Sequence, residues 1–248
     1  MQIKLPDGID AAVATQPRRR RCRWPESSQD AHLSKITNGS SRQPSSGGAP
    51  RQIVLLLHGY GSNGEDLISL AAHWQHLLPD ALFLAPNAPQ RCGFGYQWWA
   101  LNAFSPKALA AGAVSAAPAI DAFIDRKLEQ YGLTESDLAL VGFSQGTMMA
   151  LHVGLRRGRQ IAGILGYSGA LTGAADLPSQ ARAKPPVLLI HGAADQVIPV
   201  AALHAAAREL KQLGIDVRTH ISSGLGHSVD PTGLRLGAEF LVETLKRA

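Results

Sequence analysis

The stretch "LALVGFSQGTMMALHVGL", residues 138–155, decides the fold. Leu138 to Val141 is an apolar run of strand length, and from Thr147 to Leu155 apolar and small residues follow one another as in a buried helix. Between them, Gly142-Phe143-Ser144-Gln145-Gly146 fits the GxSxG pattern. That pattern alone is weak in a chain with 25 glycines, and its bland reading is a serine capping a helix. The strand-to-helix setting gives it weight. A serine on such an elbow is held up at the edge of a sheet, and the glycines remove side chains where the turn is sharp and the helix passes close to the strand.

Outward from this elbow the apolar patterning alternates. It predicts strands over 52–57, 81–85, 138–143, 161–166, 187–190 and 217–222, with helices over 65–78, 108–131, 145–157, 199–213 and 231–247. This is an α/β fold with a mostly parallel central sheet flanked by helices. In such sheets ligands meet the carboxyl ends of the strands, so residues that follow strands deserve scrutiny.

A competing signal is Gly59-Tyr60-Gly61-Ser62-Asn63-Gly64, a GxGxxG between a strand and a helix. A nicotinamide-dependent oxidoreductase would need an acid at the end of the next strand to hold the ribose hydroxyls. That strand ends in Ala85-Pro86-Asn87, while Asp80 precedes it. The dinucleotide reading is therefore disfavoured. A histidine-glycine pair followed by a glycine-rich loop suits an oxyanion hole instead, with the Tyr60 amide as one donor and the Gln145 amide as the other. Gln145 also opens a helix, where the partial positive charge favours an oxyanion. His58 is read as shaping the loop.

A serine hydroxyl needs a histidine to take its proton and an acid to orient that histidine, in the chain order Ser, acid, His. Asp195 follows the strand "PPVLLIHG", and His227 follows "DVRTHIS" on a glycine-flexed loop. Asp176 lies in a loop of unclear setting, Asp216 precedes a strand, and Asp230 is placed to cap the last helix. His152 and His204 fall on helices, His220 falls inside a strand, and His191 precedes a glycine as His58 does. The catalytic candidates are Ser144, Asp195 and His227. No HExxH or cysteine cluster suggests a metal.

Composition narrows the remaining classes. The chain of 248 residues with 45% hydrophobic residues can bury one large core. No apolar run approaches the length of a bilayer span, so stable membrane insertion is not expected. Two cysteines, Cys22 and Cys92, fit a reducing compartment, and a cytoplasmic location is expected. Of the net charge of +5, residues 1–50 carry +4, from eight Lys/Arg against four Asp/Glu. The run "RRRRCRWP" (18–25) is read as a solvated charge cluster, with no nucleic acid partner. The twin-arginine pattern lacks an apolar segment behind it. Residues 1–32 are expected to be a disordered basic extension and 33–248 the catalytic domain, with "NGSSRQPSSGGAP" (38–50) as linker-like sequence.

The motifs "LLLHGYGSNGEDL", "APNAPQ", "VGFSQGTMMAL", "YSGAL", "HGAADQVIP" and "GLGHS" together resemble the phospholipase/carboxylesterase family of α/β-hydrolases, which includes acyl-protein thioesterases and small bacterial carboxylesterases. The match runs from about Leu33 to the C-terminus. The resemblance implies Ser144 as nucleophile, Asp195 as orienting acid, His227 as base, and Tyr60 with Gln145 as oxyanion hole. It implies ester hydrolysis through an acyl-enzyme without cofactor, often in a homodimer. Gln196 departs from the proline of many relatives. Short to medium acyl esters are the expected substrates, with thioesters, lysophospholipids and then peptides as alternatives; a non-catalytic binding module is the different-class alternative.

The segment "RCGFGYQWWALNAF" (91–104) crowds aromatic residues after a strand on the catalytic side. It is too short for a large lid. Phe94, Trp98 and Trp99, together with Val197 beside Asp195, are the candidates for lining an open acyl groove.

Overall fold

The computed structural model describes residues 36–246. The expectations for residues 1–32, including the basic run, lie outside that span. The chain runs β1 (Thr37–Arg42), β2 (Gln52–Leu57), α1 (Gly64–Ile68), β3 (Ala81–Asn87), β4 (Gln90–Cys92), β5 (Gly95–Gln97), α2 (Pro106–Tyr131), β6 (Leu138–Phe143), α3 (Gln145–Gly154), β7 (Gly163–Tyr167), α4 (Leu177–Gln180), β8 (Val187–Gly192), α5 (Ala201–Gln212), β9 (Val217–Ser222) and α6 (Pro231–Leu245). Seven strands form one sheet in the order β1-β3-β2-β6-β7-β8-β9, and β4 pairs with β5 as a separate hairpin. All neighbours in the large sheet are parallel except β1, which runs antiparallel along β3.

The central strands read as unbroken apolar runs because both faces are covered. In β2, Ile53, Leu55 and Leu57 point into the core shared with α2 and α3, while Val54 and Leu56 point into the core shared with α6. β6 divides in the same way, with Leu138 and Leu140 on one side and Ala139, Val141 and Phe143 on the other. All of these side chains are 5% exposed or less, and each large one contributes about 1.5–3 kcal/mol on burial. α6 is tied to its face by the indole of Trp74, which donates to Leu234 O, and by the Tyr167 hydroxyl, which donates to Gly233 O.

Several boundaries differ from the sequence reading. Residues 37–42, most of them in the stretch 38–50 read as linker-like, form the edge strand β1, whose register slips between Thr37 and Ser40. The first helix is shorter than 65–78, because after Ile68 the chain tightens into a 3₁₀ turn over Ser69–His73. The hairpin β4–β5 was not expected. α2 spans 26 residues and is long and apolar enough by composition to cross a bilayer. Its alanines concealed this from a search for unbroken large apolar runs. It buries Ile120, Phe123, Ile124 and Leu128 in the core, and Arg157 ties it down through Asp121 and Asp125.

The sheet order reverses direction between β2 and β6: the chain moves from β2 outward to β3, then returns to lay β6 on the other side of β2. A crevice opens at the carboxyl ends of strands at such a reversal. The loop after β2 and the elbow after β6 flank it.

Candidate active site

Ser144 sits between β6 and α3 with φ 56° and ψ −115°, a backbone conformation uncommon for a residue with a side chain. Glycines make the elbow fit. A Cβ on Gly146 would lie 1.7 Å from Leu57 O, and one on Gly142 would lie 2.4 Å from Thr147 N, so only hydrogen is tolerated at either position. The Ser144 amide donates to Tyr167 O of β7, which anchors the turn. Its side chain is not a helix cap, as the bland reading had it; the hydroxyl makes no capping hydrogen bond.

Asp195 and His227 come together as expected. His227 Nδ1 lies 2.6 Å from Asp195 Oδ2. A carboxylate only accepts, so Nδ1 carries the proton and Nε2 is left as a bare acceptor. Nε2 is buried and has no hydrogen-bond partner among the described residues. The other carboxylate oxygen, Oδ1, accepts the amides of Val197 at 2.8 Å and Ile198 at 2.9 Å. The His227 ring packs on Phe143, the residue before Ser144, with centroids 5.0 Å apart. Burial lowers the His227 pKa below its ordinary value, against the raising effect of Asp195; His191 nearby lowers it further.

His191, read from sequence as a structural loop histidine, also bears on the acid. Its Nε2 lies 2.8 Å from Ile198 O and 3.3 Å from Asp195 Oδ2. A carbonyl oxygen only accepts, so Nε2–H is the donor and is shared with the carboxylate. The four-residue spacing from Asp195 was the available signal. Asp176 and Asp216 take no part in the pair, and Asp230 caps α6 by accepting from Gly233 N.

On the other side of the crevice, His58 shapes its loop. Its Nε2 accepts from Ala88 N and its Nδ1 donates to Gly59 O. Gly59 lies against the elbow, where a Cβ would approach Ser144 Cβ to 3.3 Å. The Gly61 amide donates to Tyr96 O, and the Tyr96 amide donates to Ser62 O, so the β4–β5 hairpin braces the Tyr60 loop. The Gln145 amide, the first of α3, has no acceptor within the helix and lies at its positive end. The Gln145 side chain, unremarked in the sequence, is buried and holds the aromatic loop: Oε1 accepts from Trp98 N and Nε2 donates to Trp99 O.

The groove-lining candidates divide. Phe94 is fully exposed at the hairpin turn and Val197 is 56% exposed. Trp98 and Trp99 are 1% and 5% exposed and pack into the core, which corrects their placement as groove walls. Trp99 lies so close to α2 that a Cβ on Gly112 would meet its ring at 2.2 Å. That glycine, inside an alanine-rich helix, was the sequence signal for an inward-facing indole.

Architecture and strand-end loops together define an α/β-hydrolase fold. The family model for Phospholipase/Carboxylesterase matches residues 41–245, and the chain belongs to that family. It is 28% identical over 199 residues to Esterase YpfH of Escherichia coli (strain K12), an alignment covering 79% of this chain and 84% of that relative. It is 29% identical over 215 residues to Acyl-protein thioesterase 1 of Gibberella zeae, covering 77% and 90%. The crystal structure of esterase PE8 superimposes with a TM-score of 0.81 at 45% identity, over 85% of this chain and all of that one. The protein is an ester-hydrolysing enzyme.

Proposed function

We propose that the protein is a serine carboxylesterase acting on short to medium acyl esters through an acyl-enzyme. The observation that carries this reading is the 2.6 Å contact of His227 Nδ1 with Asp195, which leaves Nε2 unprotonated and without a hydrogen-bond partner among the described residues, on a ring packed against Phe143, the residue before Ser144. In the first half-reaction His227 takes the Ser144 proton, Oγ bonds to the ester carbonyl carbon, and the Tyr60 and Gln145 amides hold the oxyanion. Collapse breaks the carbon–oxygen bond to the alcohol, which leaves with the proton from His227. Water then repeats these steps on the acyl-enzyme and frees the acid. Ser144→Ala should cut turnover of an activated ester by about 10⁴-fold or more. Wild-type turnover in a folded Ser144→Ala variant would refute the reading.

Relatives named acyl-protein thioesterase 1 favour a second reading, with a thioester as substrate and a thiol as leaving group. The same residues serve both. A panel of matched oxygen esters and thioesters, compared by kcat/KM, distinguishes them.

For the acyl groove we propose Phe94 and Val197 as rim residues, joined by Tyr60, which is 38% exposed. A rim this open offers only a few methylenes' worth of contact, about 0.8 kcal/mol each, which supports short to medium chains. Phe94→Ala should lower kcat/KM on the longer of these esters while sparing acetate. An unchanged chain-length profile would remove Phe94 from the groove. We also propose that residues 1–32 lie outside the catalytic domain, whose family match begins at 41, and that the enzyme works in the cytoplasm. Deleting 1–32 should leave kcat/KM and Tm unchanged.

A further inference from the structure

Trp98 touches both sides of the crevice at the strand-order reversal. Its indole Nε1 donates to His58 O at 2.9 Å, and its own amide donates to Gln145 Oε1 at 3.0 Å. His58 follows the last residue of β2 and leads into Gly59 and Tyr60, and Gln145 is the residue after Ser144. The two proposed oxyanion donors thus belong to segments that one buried residue bridges, by its indole toward His58 and by its backbone amide toward Gln145. Little slack exists between them. His58 O lies 2.8 Å from where a Cβ on Gly146 would stand, and a Cβ on Gly59 would stand only 3.3 Å from Ser144 Cβ. The indole also packs on the His58 ring, with centroids 5.4 Å apart, and Ala88 N fixes that ring by donating to its Nε2.

We propose that Trp98 is a positioning residue that sets the separation of the Tyr60 and Gln145 amides through its indole hydrogen bond to His58 O, an inference that rests on the esterase reading of the site. A buried indole N–H needs an acceptor somewhere, and many would serve packing alone. This one is the carbonyl from which the oxyanion loop departs. A displacement of about an ångström there takes a donor out of line with the developing charge, and such misplacements cost about 10²-fold in rate.

The test is Trp98→Phe, which keeps an aromatic ring and removes the N–H. On an activated short-chain ester, kcat should fall about 10- to 100-fold while KM stays within about two-fold. Affinity for a trifluoromethyl ketone, whose adduct on Ser144 carries an oxyanion, should weaken by the same factor as kcat/KM. If Trp98→Phe does not fold, 3-benzothienylalanine at position 98 preserves the bicyclic shape and replaces N–H by sulfur. A folded variant with kcat within about two-fold of wild type overturns the proposal, as does a loss of kcat with ketone affinity unchanged. Absence of ester turnover and ketone binding in the wild type would defeat the esterase reading and this inference with it. Wild-type turnover with an unaffected Trp98→Phe defeats the inference alone.

Discussion

Asp195 presents its two carboxylate oxygens to different partners, Oδ2 to His227 Nδ1 and Oδ1 to the amides of Val197 and Ile198. That division dictates what an amide would do in its place. In Asp195→Asn the side-chain oxygen must face the two backbone donors, so the NH₂ group faces His227 and forces Nδ1 to accept. The proton then moves to Nε2 and the base is lost. Turnover should fall about 10³- to 10⁴-fold with Tm little changed, read by steady-state kinetics and thermal melts. Substantially full activity in Asp195→Asn would mean that another acid orients the base.

In the proposed mechanism His227 must be neutral to accept the Ser144 proton. Burial holds its pKa below the ordinary 6.5, so the neutral form persists to lower pH than in a free histidine. The acidic limb of the kcat/KM profile of the free enzyme should therefore be centred below 6.5. An acidic limb centred above 6.5 would contradict this environment.

The positive φ of Ser144 predicts a contrast between two inactive variants. A residue with a Cβ held in that region costs about 1–3 kcal/mol, and glycine largely escapes the cost. Ser144→Gly should melt above Ser144→Ala in calorimetry, although both lack turnover. Equal midpoints would show that the elbow is unstrained.

His152 on α3 governs acid stability away from the site. Burial, with Arg156 nearby, lowers its pKa to about 4, and its Nδ1 is buried without a hydrogen bond. Between pH 6.5 and 4 the unfolded chain binds a proton that the folded chain refuses, so stability falls as pH drops through that window. The loss reaches up to about 3 kcal/mol. His152→Leu should narrow the gap between the melting midpoints at pH 7.5 and pH 5, by several degrees. An unchanged gap would place the acid sensitivity elsewhere.

The elbow and the pairing of Asp195 with His227 were legible because the residues of each follow strands, with glycines at the turns. β1 was not. Its sequence Thr-Asn-Gly-Ser-Ser-Arg has no apolar alternation, and what makes it a strand is backbone pairing along β3, which composition does not encode. Aromatic residues posed a different problem. Phe94 and Trp98 sit four residues apart in one loop, yet one is fully exposed and the other sealed in the core. Periodicity in a short turn-rich segment carries no information on which way a ring faces. The decisive facts are tertiary: an acceptor at His58 O for one indole and the bare surface of Gly112 for the other.

Ser144 follows β6, whereas Asp195 and His227 follow β8 and β9, the last strands to join the sheet in chain order. Nearly the whole polypeptide must leave the ribosome before the acid can meet its histidine, and the contact closes a long loop whose entropy cost is met only late in assembly. A nascent chain stalled before β9 has its elbow and no base. Under the proposed mechanism, hydrolytic competence arrives only with the completed sheet.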